Sequence, residues 1–224
     1  MYLSGVFRAD QVPRLLRLGV GVMLQPATYA PERVGALGFP CWAVDNGCFA
    51  QGDRFSLDAF YRWLGRVPRH RLLFVTAPDV FGNARATLER SLPVLRDLDP
   101  PRAFVAQNGA TVDLIPWDDL EWLFLGGDTK WKLGPDARRL AHEALRRDKF
   151  VHMGRVNSEK RIRYASAIGC AAADGTFLKY RNRIGDGSRE MERWFHQRLL
   201  PLHPARALFS AAPPSGRAEE ERGA

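Results

Sequence analysis

Short segments that are apolar along most of their length constrain this chain more than any other feature. They run Tyr2 to Phe7, Val20 to Leu24, Cys41 to Val44, Leu72 to Thr76, Ala103 to Ala106, Trp122 to Leu125, Phe150 to Met153 and Cys170 to Ala173. A strand with one wet face alternates apolar and polar residues, whereas a strand without alternation is covered on both faces, as in a parallel sheet flanked by helices. The intervening segments supply the cover. Leu57, Phe60, Tyr61 and Leu64 keep helical spacing behind a Ser56 cap, and Ala137, Leu140, Ala141, Ala144 and Leu145 do so behind Pro135 and Asp136. Asn157 and Ser158 open a further helix carrying Ile162, Ala165 and Ile168. Eight such units predict an α/β chain folded as a compact (β/α)8 barrel, at the short end of that fold's length range. An open doubly wound sheet is the alternative, and neither a GxGxxG turn nor a GxxxxGK[ST] loop is present to mark it.

Two segments stand apart. Pro93 interrupts the helical stretch from Ala84 to Leu98, which predicts a helix that kinks or starts late. From Ser210 onward, SAAPPSGRAEEERGA is rich in proline, small residues and charge, so residues 1–209 are read as one barrel domain and 210–224 as a disordered tail.

Composition narrows the function classes. No run approaches the roughly 18 to 20 apolar residues of a membrane span, and MYLSGVFRAD lacks the basic-then-apolar pattern of a secretion signal, so a cytoplasmic location is expected. Cys41, Cys48 and Cys170 have no zinc-ligand spacing and are expected as buried free thiols; His142-Glu143 is not followed by a second histidine one turn later. No metal and no cofactor are predicted. A formal charge of +8 and a pI near 9.9 favour a polyanionic partner, and Arg155, Lys160, Arg161, Arg163, Lys179, Arg181, Arg183, Arg189 and Arg193 crowd the C-terminal third.

In a barrel the reacting groups sit at the C-terminal ends of the strands. Those ends deliver Asp45-Asn46-Gly47, Ala77-Pro78-Asp79, Gln107-Asn108-Gly109, Gly126-Gly127-Asp128, Met153-Gly154-Arg155 and Asp174-Gly175-Thr176. Each is also an ordinary turn sequence, and Asp45 beside Asn-Gly can simply brace a turn. Together they suit a planar hydrogen-bonding ligand attached to a sugar. Asp79 could accept from the N1-H and exocyclic amine of a guanine edge, with Gln107 serving its carbonyl. Gly126 and Gly127 would allow close backbone approach, and Phe49 and Met153 would sandwich the ring. Asp45 and Asp174 remain for chemistry, as a nucleophile and a general acid/base of the kind used for glycosidic exchange with retention.

These motifs, in this order from about Trp42 to Thr176, resemble the tRNA-guanine transglycosylases, and more closely the DNA-guanine transglycosylases of the deoxypurine-in-DNA protein A family. WAVDNGCF is similar to the family's Asp-Ser-Gly-Gly-aromatic motif, TAPDVFGNARATLERS to its purine-recognition segment, VAQNGA to Val-Gln-Gly, and FLGGDTKWK to its Gly-Gly motif. HMGRVNSEKRIRYASAIGCAAADG resembles the Met-Gly segment followed by the strand that presents the nucleophile. Asn46 and Cys48 stand where the tRNA enzymes have Ser and Gly, and the C-terminal zinc cluster of those enzymes is missing from the sequence, which points to DNA or a smaller substrate.

The resemblance implies a base-exchange glycosyltransferase that replaces guanine in DNA with a 7-deazaguanine, such as 7-cyano-7-deazaguanine, working with other proteins of a DNA-modification system. Asp174 would be the nucleophile and Asp45 the general acid/base. Asp79, Gln107, Gly126, Gly127, Phe49 and Met153 would hold the base, and Arg155, Lys160, Lys179, Arg181 and Arg183 the phosphates. The target would be single-stranded or flipped from the duplex. The competing readings are exchange on a free nucleoside or sugar phosphate, a hydrolytic base glycosylase, and a non-catalytic nucleic-acid-binding barrel.

Overall fold

The computed structural model describes residues 2–4, 12–26, 30–99 and 101–176. Lys179, Arg181, Arg183, Arg189 and Arg193, the tail from Ser210, and residues 5–7 of the expected first strand lie outside them.

Eight parallel strands close into a barrel in sequence order: β1 (Tyr2–Ser4), β2 (Gly21–Leu24), β3 (Trp42–Val44), β4 (Leu72–Thr76), β5 (Arg102–Ala106), β6 (Trp122–Leu125), β7 (Phe150–Met153) and β8 (Ala172–Gly175). The seam is the β1–β8 pair, which aligns Tyr2 with Asp174 and Leu3 with Gly175. The connecting helices are α1 (Val12–Arg17), α2 (Arg33–Ala36), α3 (Cys48–Gln51), α4 (Leu57–Leu64), α5 (Ala84–Asp97), α6 (Thr129–Lys132), α7 (Pro135–Arg146) and α8 (Glu159–Ala167). The α/β barrel expected from the apolar segments is therefore the fold.

The absence of alternation has a simple cause, because two apolar layers share the same strands. Cys41, Ala43, Leu73, Phe74, Ala103, Val105, Trp122, Phe124 and Ala172 pack inside the barrel. Their neighbours Trp42, Val44, Val75, Phe104, Ala106, Leu123, Leu125, Val151, Met153 and Ala173 pack outward against the helices. Successive side chains point to opposite faces, except in β4, where Leu73 and Phe74 share the inner layer beside a register shift against β3 between Trp42 and Val44. The parity set by these layers carries Gln25, Asp45, Gln107, Gly126, Gly154 and Asp174 to the inside at the C-terminal rim.

Local signals fix most helix starts. Ser56 Oγ accepts from the Ala59 N–H to cap α4, Asn83 Oδ1 from Ala86 to cap α5, and Ser158 Oγ from Arg161 to cap α8. One expectation is narrowed and another needs correction. Helix α5 starts at Ala84 and continues through Pro93 to Asp97 instead of starting late. Pro93 and Glu89, whose carbonyl loses its helical donor, are both on the exposed face, where water can take over the missing bond. The last strand begins at Ala172, not Cys170. Gly169 at φ +85° turns the chain out of α8, and the Cys170 N–H still bonds back to Ala165 O, so Cys170 belongs to the turn. All three cysteines are buried free thiols, as expected. Among the described residues no helix is long and apolar enough to cross a membrane.

Pro93→Ala restores one helical donor in an exposed helix interior. It is expected to raise stability by about 1 to 2 kcal/mol after allowing for the greater freedom of the unfolded chain. Urea unfolding with an unchanged m-value is the check.

Candidate active site

Three carboxylates from three strands meet at the rim, and neutral groups hold all of them. Asp45 follows β3 directly. Its Oδ1 accepts from the Gly47 N–H at 2.7 Å and its Oδ2 from Gln25 Nε2 at 3.3 Å. The first bond is the turn brace suggested by the Asn-Gly pair, with Gly47 at φ +77°. The same carboxylate faces the barrel mouth. Burial pushes its pKa up to about 7, and the negative charges of Asp79 and Asp174 add to that rise. The turn brace and a carboxyl that can hold a proton near neutrality thus coexist in one side chain.

Asn46 ties β3 to β4. Its Nδ2 donates to Asp79 Oδ1 at 3.0 Å, to Ala77 O at 2.8 Å and to Thr76 Oγ1 at 3.2 Å, while its Oδ1 accepts from the Cys48 N–H. The other oxygen of Asp79 accepts from Gln107 Nε2 at 2.7 Å, and Gln107 Oε1 in turn accepts from the Gly82 N–H at 3.1 Å. Burial raises the Asp79 pKa above the usual carboxylate range, while its bonds from Asn46 and Gln107 oppose that shift. Cys48 sits beside this network with its thiol pushed up to about 12 by burial, so it is a packing residue.

Asp174 lies inside the barrel within β8, 5 % exposed, and its Oδ1 is 3.0 Å from His152 Nε2. His152 is fully buried, and burial holds its pKa below the ordinary histidine value despite the carboxylate. The neutral ring therefore donates Nε2–H to Asp174 and fixes the orientation of the carboxylate. Gly154 completes the wall. A Cβ there would lie 2.7 Å from the Phe124 ring and 3.4 Å from Asp174 Oδ1.

The glycine pair is required by packing. A Cβ on Gly126 would meet Val105 Cγ1 at 2.4 Å and Gln107 Nε2 at 3.0 Å, and one on Gly127 would meet the Trp131 ring at 2.4 Å. Both N–H groups donate to Ala106 O, and both carbonyls accept from Arg155 Nη2 at 2.7 Å. Arg155 stands at φ +58°, with its guanidinium 5.8 Å from the Phe49 ring centroid and 5.0 Å from that of Phe81. Phe49 is 70 % exposed and meets Phe81 edge to face at 5.0 Å. Lys160 is exposed in the first turn of α8.

Met153 departs from the expected sandwich. It is buried in the outer core between sheet and helices, because inward-facing His152 and Gly154 flank it on β7. Counting by two from His152 or Gly154 would have placed it. The residues that motif reading passed over are Gln25, His152, Phe81 and Lys132. Lys132 of α6 is buried with its Nζ donating to Gly154 O, and burial, reinforced by the neighbouring Arg155 charge, pushes its pKa down to about 7. Strand parity would have found Gln25 and His152, whereas the sequence carries no comparable signal for Lys132. Among the described residues no group of three His, Cys, Asp or Glu side chains is arranged to hold a metal ion.

The comparisons with known proteins bear on the fold alone. No family model and no curated protein matches the chain. The YdjI aldolase from Escherichia coli K12 matches with a TM-score of 0.50 at 11% identity, over 94% of this chain and 91% of that one. A designed cube-shaped protein cage matches at 0.41 and 13% identity, over 88% of this chain and 75% of that one.

The raised Asp45 pKa has a thermodynamic consequence. The folded state holds this proton to about pH 7 while an unfolded Asp releases it near 3.8, so Asp45 contributes stability below pH 4 that is lost as pH rises to about 7. Asp45→Asn keeps an oxygen for the Gly47 N–H and removes the buried charge. It is expected to match wild type near pH 4 and to exceed it by about 1 to 3 kcal/mol at pH 8, as measured by chemical denaturation at both pH values.

Proposed function

We propose that this protein is a base-exchange glycosyltransferase that replaces guanine in DNA with a 7-deazaguanine through a covalent glycosyl-aspartate. The observation that carries the reading is the hydrogen-bonding capacity left at Asp79 and Gln107. Each Asp79 oxygen has one protein donor and keeps a lone pair for another. Gln107 has its Oε1 held by Gly82 and one Nε2 hydrogen on Asp79, which leaves one hydrogen to donate. The free array is acceptor, acceptor, donor across adjacent strands β4 and β5. Guanine and 7-deazaguanine present the complement, with N2–H and N1–H as donors and O6 as acceptor. Adenine presents a donor and an acceptor in the wrong places, and leaves buried groups unpaired.

With that edge on β4 and β5, the sugar side of the base faces Asp174 on β8 and Asp45 after β3. Asp174 attacks C1′ through the carboxylate that His152 orients. The C1′–N9 bond breaks, and protonated Asp45 gives its proton to N9 of the leaving guanine. The incoming 7-deazaguanine then loses its N9 proton to Asp45 and attacks C1′, displacing Asp174. Two inversions give retention. A pKa near 7 lets one carboxyl act as acid in the first half and as base in the second at neutral pH. DNA as the polymer rests on the resemblance to the 7-deazaguanine DNA enzymes.

The test is incubation with guanine-containing DNA, RNA or free deoxyguanosine plus 7-cyano-7-deazaguanine, read by nucleoside mass spectrometry. Incorporation into DNA supports the reading, and incorporation into RNA alone sinks it. Asp174→Asn is expected to lower exchange of labelled guanine by about a thousandfold or more. Wild-type exchange by that variant would remove Asp174 as nucleophile.

The pH profile makes a separate check on Asp45. Single-turnover release of guanine requires the protonated acid, so its rate is expected to fall about tenfold per pH unit above pH 7. A rate that stays flat to pH 9 would take that role from Asp45.

A further inference from the structure

Two phenylalanines stand exposed side by side at the barrel mouth. Phe49 in α3 is 70 % exposed and Phe81, in the turn after Asp79, is 45 % exposed; their rings meet edge to face at 5.0 Å with 67° between the planes. Among the described residues no other large apolar side chain is as exposed as either. A single exposed apolar residue is ordinary, whereas an adjoining pair makes a patch of the kind that marks a binding surface. A loose chain does not account for Phe81. Val80 N–H donates to Thr87 Oγ1 at 3.0 Å, Asn83 N–H to Val80 O at 3.1 Å and Gly82 N–H to Gln107 Oε1 at 3.1 Å, so the backbone is pinned on both sides of the ring. The Arg155 guanidinium lies 5.0 Å from the Phe81 centroid and 5.8 Å from that of Phe49, and the Gly126 and Gly127 carbonyls fix it there. Among the described residues Arg155 forms no ion pair, so its charge stays beside the two rings.

The angle between the rings decides what the pair can hold. A planar base stacked on Phe49 lies 67° from the plane of Phe81, so one base cannot stack on both rings. A pocket that uses Phe49 leaves Phe81 to a second group. We propose that Phe81 is a stacking site for an unpaired nucleobase of a single-stranded nucleic acid, outside the pocket lined by Asp79 and Gln107. Charge selects this occupant. A strand brings a phosphate with every base, which suits rings that share a guanidinium on a chain of formal charge +8. An apolar protein segment would have to desolvate the Arg155 charge without compensation, and a second copy of this chain would bring the same positive charge. Aromatic rings beside cationic groups are also how proteins hold single strands with little regard to sequence. Placement next to the exchanged nucleotide rests on the base-exchange reading, and there Phe81 makes a polymer the substrate in preference to a free nucleoside. Stacking itself rests on the exposed rings and the charge beside them.

The experiment is fluorescence anisotropy of the full chain with labelled single strands that contain no guanine: oligothymidylate, oligouridylate, and an abasic oligomer of the same length and charge. Wild type is expected to bind the base-bearing strands about tenfold or more tighter than the abasic one. Phe81→Ala is expected to weaken binding of the base-bearing strands about tenfold and to leave abasic binding unchanged. Phe81→Trp should keep the wild-type affinities. Phe81→Leu retains apolar area without an aromatic face and should behave as Phe81→Ala does, with circular dichroism confirming the fold of each variant. A base-dependent loss in Phe81→Ala on either polymer supports the proposal, and the tighter strand identifies the polymer. Equal binding of base-bearing and abasic strands by wild type, an equal loss on both in Phe81→Ala, or no loss on either overturns it. Self-association in sedimentation that Phe81→Ala abolishes, with strand binding unchanged, overturns it in favour of a contact between copies. Because oligothymidylate offers no guanine to exchange, failure here leaves the base-exchange reading standing, and the converse also holds.

Discussion

The desolvation of acidic groups at the end of an apolar barrel is the constraint on which the rest of this structure depends. Strand parity draws Asp45 and Asp174 to the rim and the segment after β4 brings Asp79 there, and no lysine or arginine among the described residues pairs with any of them. Their partners are amides, main-chain N–H groups and a neutral histidine. Neutral donors stabilise a carboxylate less than a cation does, so the rise caused by burial persists at Asp45 and Asp79. An ion pair at Asp45 would have anchored it as a permanent anion. Its present surroundings let it hold or release a proton near neutrality.

Side-chain amides do this work because they have both a donor and an acceptor end. Asn46 accepts from Cys48 while donating to Asp79, and Gln107 accepts from Gly82 while donating to the same carboxylate. Each amide is oriented by its own second contact, which fixes the Asp79 oxygens from both sides without using up their lone pairs. Asn46, at the position where the tRNA enzymes that the motifs resemble carry serine, gains a physical account here. Asn46 reaches Thr76, Ala77 and Asp79 at once, a span that a shorter hydroxyl side chain cannot match.

The sequence made the barrel legible because two apolar layers share each strand, and Trp42, Phe74, Phe104, Trp122 and Leu125 leave no room for a wet face. It also made the rim legible, since Asp45, Asp79 and Gln107 stand one to three residues past strands whose limits were clear. Asp174 was found as a residue, but its strand was set two positions early because CAAAD has no internal mark of where pairing begins. Met153 failed for a related reason. A motif names a residue, while the face it points to depends on parity, and His152 beside it already held the inner position.

Charge was the least legible property. Counting basic residues suggested a surface for a polyanion, but the chain of contacts separates two kinds of cation. Arg163, Arg147 and Arg102 are spent on local acids. Lys132 and Arg155 instead hold carbonyls, and those carbonyls belong to Gly154, Gly126 and Gly127, the backbone that walls the site. A guanidinium bound to a carbonyl keeps its net charge, so the positive field of Arg155 survives at the rim while the geometry is fixed, whereas burial brings Lys132 close to losing its proton near neutrality. The acids are held by neutral donors and the bases by neutral acceptors, and neither set cancels the other. The separation leaves a negative half of the mouth at β3, β4 and β8 beside a positive one at β6 and β7.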